Sequence, residues 1–204
     1  MMQFSSSAMS QRRWVTLLSF VLLLSLSACS QPKPWALDNL SGLMPRLKFN
    51  LTNDAGQDVN AAAYRGKVVL LYFGYTHCPD VCPTALAKLG EAIHGLGADA
   101  SKTRILFVTV DPERDSVAVL HKYVQAFGPE FVGLRGSDDS TEALAKRYRV
   151  AFTRQKPNRR GDYDVTHSSA VFIFDGKGKV RLLATDSDSA ASISHDLRLL
   201  LDVG

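Results

Sequence analysis

The chain has 204 residues, 46% hydrophobic and 22% charged, which fits one globular domain with a sizeable core and excludes wholesale disorder. Its formal net charge is +4, but Arg12 and Arg13 fall in a leader described below. The remaining 22 basic and 20 acidic residues are interspersed as on an ordinary solvated surface, which argues against a nucleic-acid partner.

The N-terminus carries a targeting pattern. Arg12-Arg13 is a positive patch, Trp14 to Leu24 is an apolar run, and Leu26-Ser27-Ala28 places small residues before Cys29. The run is too short to span a bilayer, which needs about 20 residues, and reads as a secretion signal. The ending Leu-Ser-Ala-Cys resembles the lipobox of bacterial lipoproteins. It implies cleavage after residue 28, lipidation of Cys29 and a membrane-anchored protein facing the periplasm or another extracytoplasmic space. The expected organisation is a signal peptide over 1–28, a tether over 29–44 and one domain over 45–204.

Within the domain, the alternation of 46–52 and the turn at Asn53-Asp54-Ala55-Gly56 predict an N-terminal hairpin. Val68 to Phe73 is a continuous apolar run, as expected of a strand buried on both faces. A helix follows, with Pro83 in its first turn and Leu86, Leu89, Ile93 and Leu96 on one side. Arg104 to Val110 is a second buried strand. Val117, Leu120, Val124 and Phe127 mark a helix ending before Gly128-Pro129. A short strand is expected over 131–134, and a helix capped by Asp139 and Glu142 runs to Tyr148. Residues 154–164 read as a polar loop. The strands 170–174 and 180–184 form a hairpin around Asp175-Gly176-Lys177-Gly178, and a helix over 192–201 closes the chain.

This order gives an α/β fold with a central mixed sheet flanked by helices. A central strand running into a cysteine pair at a helix start, with a late β-β-α unit, is the thioredoxin-like order.

Lipidation at Cys29 would leave one cysteine pair, Cys78 and Cys82, in an oxidising compartment. A disulfide closing so small a loop restrains the unfolded chain little, so the pair reads as chemistry and not as a brace. It sits where the first buried strand ends and a helix begins, the position where open α/β sheets collect reactive groups. A helix N-terminus there is expected to favour the Cys82 thiolate. Spacing alone leaves open a dithiolate metal site or a redox couple. Two thiolates suit Cu(I) or Zn(II); a structural zinc wants four protein ligands, whereas Cu(I) is satisfied by three.

Five histidines compete for the third position. His94, His121 and His195 fall in predicted helices and read as surface residues. His77 neighbours Cys78, but adjacent side chains at a strand end point oppositely, so it is expected to tune the site. His167 precedes the strand 170–174, on the loop that passes over the cysteine pair in a thioredoxin-like fold. That loop usually carries a cis-proline, and here Ser168-Ser169 stands in its place. An imidazole at this point favours copper over plain thiol exchange.

YTHCPDVCPTAL, VTVDPERDS and YDVTHSSAVFIFDGKGKV together resemble the Sco (SenC) family of copper chaperones for cytochrome c oxidase assembly. The resemblance implies a membrane-tethered domain binding copper as Cu(I) or Cu(II) through Cys78, Cys82 and His167. It also implies delivery to the dinuclear copper site of the oxidase, or reduction of that site's thiols. Partners would be the copper-bearing oxidase subunit or another copper protein, and a thiol reductant. Asp80 and Asp111 also match the family pattern. The family commonly has Asp before the histidine, where this chain has Thr166, so the imidazole's orienting carboxylate is missing or comes from Asp164. The competing reading is a thiol-disulfide oxidoreductase that uses Cys78 and Cys82 without metal. A peroxidase is disfavoured although Val81-Cys82-Pro83-Thr84 looks like a peroxiredoxin's reactive segment. Pro79 and Tyr75 stand where that family needs a hydroxyl residue and a proline.

Overall fold

A computed structural model of the chain describes residues 35–202. The leader and Cys29 lie outside them. The buried apolar side chains run from Leu37 to Leu200, so residues from Trp35 onward form a compact unit with a core of its own. Among the described residues, no helix is long and apolar enough to cross a membrane.

The centre of the unit is strand β4, Val68–Gly74, in which all seven residues are buried. It pairs in parallel with β5, Thr103–Thr109, and antiparallel with β9, Val171–Phe174. Beyond β5 lie β6, Phe131–Arg135, and the hairpin β2, Asn50–Asn53, with β3, Asp58–Asn60. Beyond β9 lie β10, Val180–Ala184, and β1, Asp38–Asn39. The result is an eight-stranded mixed sheet in the order β1-β10-β9-β4-β5-β6-β2-β3.

Parallel neighbours need crossovers, and helices supply them here. Helix α1, Val81–His94, joins β4 to β5, and α2, Val117–Gln125, joins β5 to β6. Helix α3, Asp138–Arg147, leaves β6, and α4, Ala190–Asp202, packs against α1. Alternation along β4 sends Tyr72 and Gly74 toward α1, because a Cβ on Gly74 would lie 2.9 Å from Cys82 Sγ. Leu71, opposite Phe172, points the other way. On that side Tyr148, just after α3, stacks on Phe172 and Phe174 at 5.7 and 5.6 Å. The central mixed sheet flanked by helices and the N-terminal hairpin are as expected. Asn53 fixes the hairpin turn, its side chain accepting from Ala55 N and Gln57 N.

Three boundaries differ from the sequence reading. The tether expected over 29–44 ends earlier, because residues from Trp35 onward belong to the domain. Ala36 and Leu37 donate their N–H groups to the buried Asp196 carboxylate on α4, and β1 pairs with Leu182 and Leu183. These anchors lie more than 140 residues away, so local periodicity carries no trace of them. Helix α3 is capped by Ser137, whose Oγ accepts from Ser140 N, while Asp138 and Asp139 sit in the first turn. Finally, the polar loop 154–164 is the tip of a two-stranded ladder. Strand β7, Phe152–Arg154, pairs with β8, Val165–His167, and Gln155 N to Asp164 O extends the pairing.

Candidate metal centre

Strand β4 ends at Gly74 and the chain turns through Thr76 and His77 before entering α1. The turn is held from below by Asp115, which has no exposed surface. Its carboxylate accepts from Thr76 N at 3.0 Å, from Thr76 Oγ1 and from Thr109 Oγ1. The strand end, the turn and the start of the next loop are thereby tied to one buried charge. Gly74 is required for a different reason. A Cβ there would meet Phe107 Cε2 at 2.8 Å and Cys82 Sγ at 2.9 Å, so only glycine leaves room for the thiol.

Cys78 is half-buried and Cys82, in the first turn of α1, is buried; both are free thiols. Cys82 N lies 3.4 Å from Cys78 Sγ and donates to it. His167 closes the group from β8, with Nε2 3.1 Å from Cys82 Sγ. The Cys78, Cys82 and His167 donor atoms all lie within 4.8 Å of one another. Metal–donor bonds of about 2.3 Å to sulfur and 2.0 Å to nitrogen put the donors of a trigonal ion roughly 4 Å apart, so this cluster fits a soft ion with small adjustments.

The imidazole is oriented by the backbone. His167 Nδ1 lies 3.0 Å from the Ser168 carbonyl oxygen, an acceptor only, so Nδ1 carries the proton and Nε2 faces Cys82 with its lone pair. The ring is also wedged edge-on between Tyr72 and Tyr75, each with its centroid 6.0 Å away. The role considered for Asp164 therefore belongs to Ser168 O, and Asp164 is an exposed residue at the ladder's end. His77 is exposed, its Nδ1 3.7 Å from Asp115 Oδ1, and stands outside the donor group. His94, His121 and His195 are all exposed on helices.

The expected ease of ionising Cys82 does not hold for the metal-free centre. Burial pushes its thiol up to about 12, outweighing the Tyr75 backbone N–H that favours the thiolate. The thiol thus keeps its proton, which points at His167 Nε2. An incoming metal must displace that proton.

Asp111, quoted from the sequence, is buried beside the centre and holds the β7–β8 side. It accepts from Arg114 Nε and, at 2.7 Å, from Tyr163 Oη. The Arg114 guanidinium lies 3.6 Å over the Tyr163 ring and donates to Tyr163 O at 3.0 Å. Asp80 occupies the position before α1, where its Oδ1 accepts from Thr84 Oγ1 at 3.4 Å. The sequence reading missed Asp115, Gly74 and Tyr72. Asp115 lies within the quoted VTVDPERDS segment, and Tyr72 is the one hydroxyl in an otherwise apolar run; both were visible as polar groups bound for burial.

Comparison with known proteins agrees with this geometry. The sequence profile of the SCO1/SenC family matches residues 44–202. "Protein SCO2 homolog, mitochondrial" of Mus musculus is 39% identical over 152 residues, covering 74% of this chain and 60% of its own length. The Danio rerio protein of the same name is 40% identical over 156 residues, covering 74% of this chain and 56% of its length. The match thus spans little more than half of these relatives. The crystal structure of Arabidopsis thaliana ScoI with copper bound superposes with a TM-score of 0.72 at 31% identity, covering 78% of this chain and 99% of that one. Bradyrhizobium japonicum ScoI with copper bound gives 0.70 at 34% identity, covering 76% and 99%. With a family profile matched along more than three-quarters of its length and a thioredoxin-like fold that brings the two cysteines and the histidine together, the chain belongs to the SCO1/SenC family.

Proposed function

We propose that this chain is an extracytoplasmic copper metallochaperone. It would be anchored by lipid at Cys29 and would deliver copper to, or prepare the thiols of, the dinuclear copper site of cytochrome c oxidase. The observation that carries the reading is the donor set: Cys78 Sγ, Cys82 Sγ and His167 Nε2 within 4.8 Å of one another. Two sulfurs and one imidazole satisfy Cu(I), and no fourth His, Cys, Asp or Glu joins the group among the described residues, as structural zinc would ask. The copper-bound structures of Arabidopsis and Bradyrhizobium ScoI support copper as the ion. The lipobox-like Leu-Ser-Ala-Cys supports the anchor.

Copper is cargo in this account, and the burial gradient suits hand-over. Cys82 is buried, whereas Cys78 and His167 are partly exposed, so a partner's thiolates approach from the Cys78–His167 side. Those two donors can be displaced first while Cys82 still holds the ion, which never becomes free. Release is completed when the proton returns to Cys82.

Copper stoichiometry on the reduced protein tests the site. One tightly held copper in the wild type and none in Cys78→Ser or Cys82→Ser is expected. Full retention in both cysteine variants and in His167→Ala would show the assignment to be wrong. Deleting the protein and assaying the oxidase for its dinuclear copper, with and without added copper, tests the cellular role.

The approach of Cys82 N to Cys78 Sγ favours one second reading, a thiol-disulfide oxidoreductase. Exchange needs both thiols and not the imidazole. Dithiol-partner reduction that survives His167→Ala, in a protein that carries no copper, would favour it.

A further inference from the structure

Tyr72 has no exposed surface, and its hydroxyl has no hydrogen-bond partner among the described residues. Leaving such a group unpaired costs roughly 1–3 kcal/mol, so phenylalanine would be the more stable residue unless the oxygen serves another state of the molecule. The surroundings of the ring identify that state. The Cβ position of Gly74 is approached by Tyr72 Cε1 at 3.1 Å and by Cys82 Sγ at 2.9 Å, so ring edge and sulfur are neighbours across the glycine. The His167 ring stands edge-on to Tyr72 at 6.0 Å. Tyr72 therefore touches the surroundings of two of the three donors. Tyr123 also has a buried, unpartnered hydroxyl, but its ring packs on Phe107 and Phe127, whereas that of Tyr72 packs on His167.

We propose that the Tyr72 hydroxyl donates a hydrogen bond to Cys82 Sγ when that sulfur is a metal-bound thiolate, making Tyr72 a positioning residue that tunes the centre. The inference rests on the copper reading above. An O–H aimed at a thiolate withdraws electron density from the sulfur and weakens its donation to Cu(II). That raises the energy of the sulfur-to-copper(II) charge-transfer band and favours Cu(I) over Cu(II). It also restrains the sulfur within the donor triangle. In the metal-free centre Cys82 Sγ is engaged by His167 Nε2 at 3.1 Å and the Tyr72 hydroxyl is left without a partner.

The test compares wild type, Tyr72→Phe and Tyr148→Phe, each titrated with Cu(II) for the absorption spectrum and with Cu(I) against a chromophoric chelator. Tyr148 is the control: it is equally buried, but its hydroxyl donates to Arg46 O and accepts from Lys48 N. Tyr72→Phe should fold at least as well as wild type, because it removes an unpaired polar atom. Its charge-transfer band should move to longer wavelength and its Cu(I) affinity fall by about 10-fold, the lower end of losses caused by outer-sphere partners. Tyr148→Phe should leave band and affinity in place. An unmoved band and unchanged affinity in Tyr72→Phe overturns the proposal, as does an equal shift in Tyr148→Phe. A wild type with reduced thiols that holds no copper instead overturns the copper reading, and this inference with it.

Discussion

The metal centre joins two regions built in different ways. Its cysteines stand in the turn after β4 and in the first turn of α1, where every residue of the strand is buried and the turn is tied to the buried Asp115. Its histidine stands on the β7–β8 ladder, two three-residue strands whose side chains are mostly exposed or half-buried. The sulfur side inherits the stability of the core, while the imidazole side depends on a small ladder, on Arg114 and Tyr163 around Asp111, and on Ser168 O. Such an arrangement ties two donors to the core and the third to a less buried ladder, which suits the proposed role of a carrier that must release its ion.

Substitutions at the donors test that division most strongly. Cys82→Ser should abolish tight copper binding. His167→Ala should weaken Cu(I) affinity by more than about 100-fold, beyond the loss typical of outer-sphere partners. It should leave Cys78–Cys82 disulfide formation intact, since the sulfurs do not depend on the ladder. Competition titration and thiol counting read both results. Equal loss of disulfide formation in His167→Ala would dissolve the distinction between the two sides.

Asp115→Ala should come next. It strands Thr76 N–H, Thr76 Oγ and Thr109 Oγ around a vacated buried site, at a cost of roughly 2–4 kcal/mol read by chemical denaturation. Asp164→Ala, at the exposed end of the ladder, should change stability by under about 0.5 kcal/mol.

The Cys82 thiol gives a pH signature. Burial raises it to about 12, whereas an unfolded cysteine ionises near 8.5. Between these values the unfolded chain has lost a proton that the folded one keeps, so this contribution to stability is complete below pH 8.5 and is lost as pH rises toward 12. Copper binding runs the other way. It releases the Cys82 proton, so apparent affinity should rise about tenfold per pH unit for that proton below pH 12. Denaturation midpoints of the metal-free protein at pH 7 and 10 should therefore separate, with pH 10 the less stable.

The smallest effect is dynamic. Backbone amides of β4 should exchange only with global unfolding, and those of β7 and β8 through local opening, with copper slowing β8 selectively. Hydrogen exchange with and without copper measures this, and uniform protection across both regions would contradict it.

The sulfur side was the more legible in sequence because its signals are local. VVLLYFG announces a strand buried on both faces, and the cysteines follow within eight residues. His167 was reached through the position of its loop in the thioredoxin-like order. The ladder beneath it was not, because FTR and VTH are too short and too polar for alternation to register. Asp196 holding Ala36, and Asp115 holding Thr76, escaped for a related reason: a buried carboxylate binds backbone N–H groups, which every residue but proline carries. The raised Cys82 thiol went unseen because helix position is written in the sequence, whereas burial beneath Gly74 and Tyr72 emerges only when the sheet assembles.

X-ray absorption at the copper edge of the reduced, Cu(I)-loaded protein tests the joint most directly. Two sulfur scatterers and one imidazole in the wild type, with the imidazole signal gone in His167→Ala, are the predicted outcome. A sulfur-only wild-type spectrum, unchanged in His167→Ala, would contradict a centre shared between the core and the ladder.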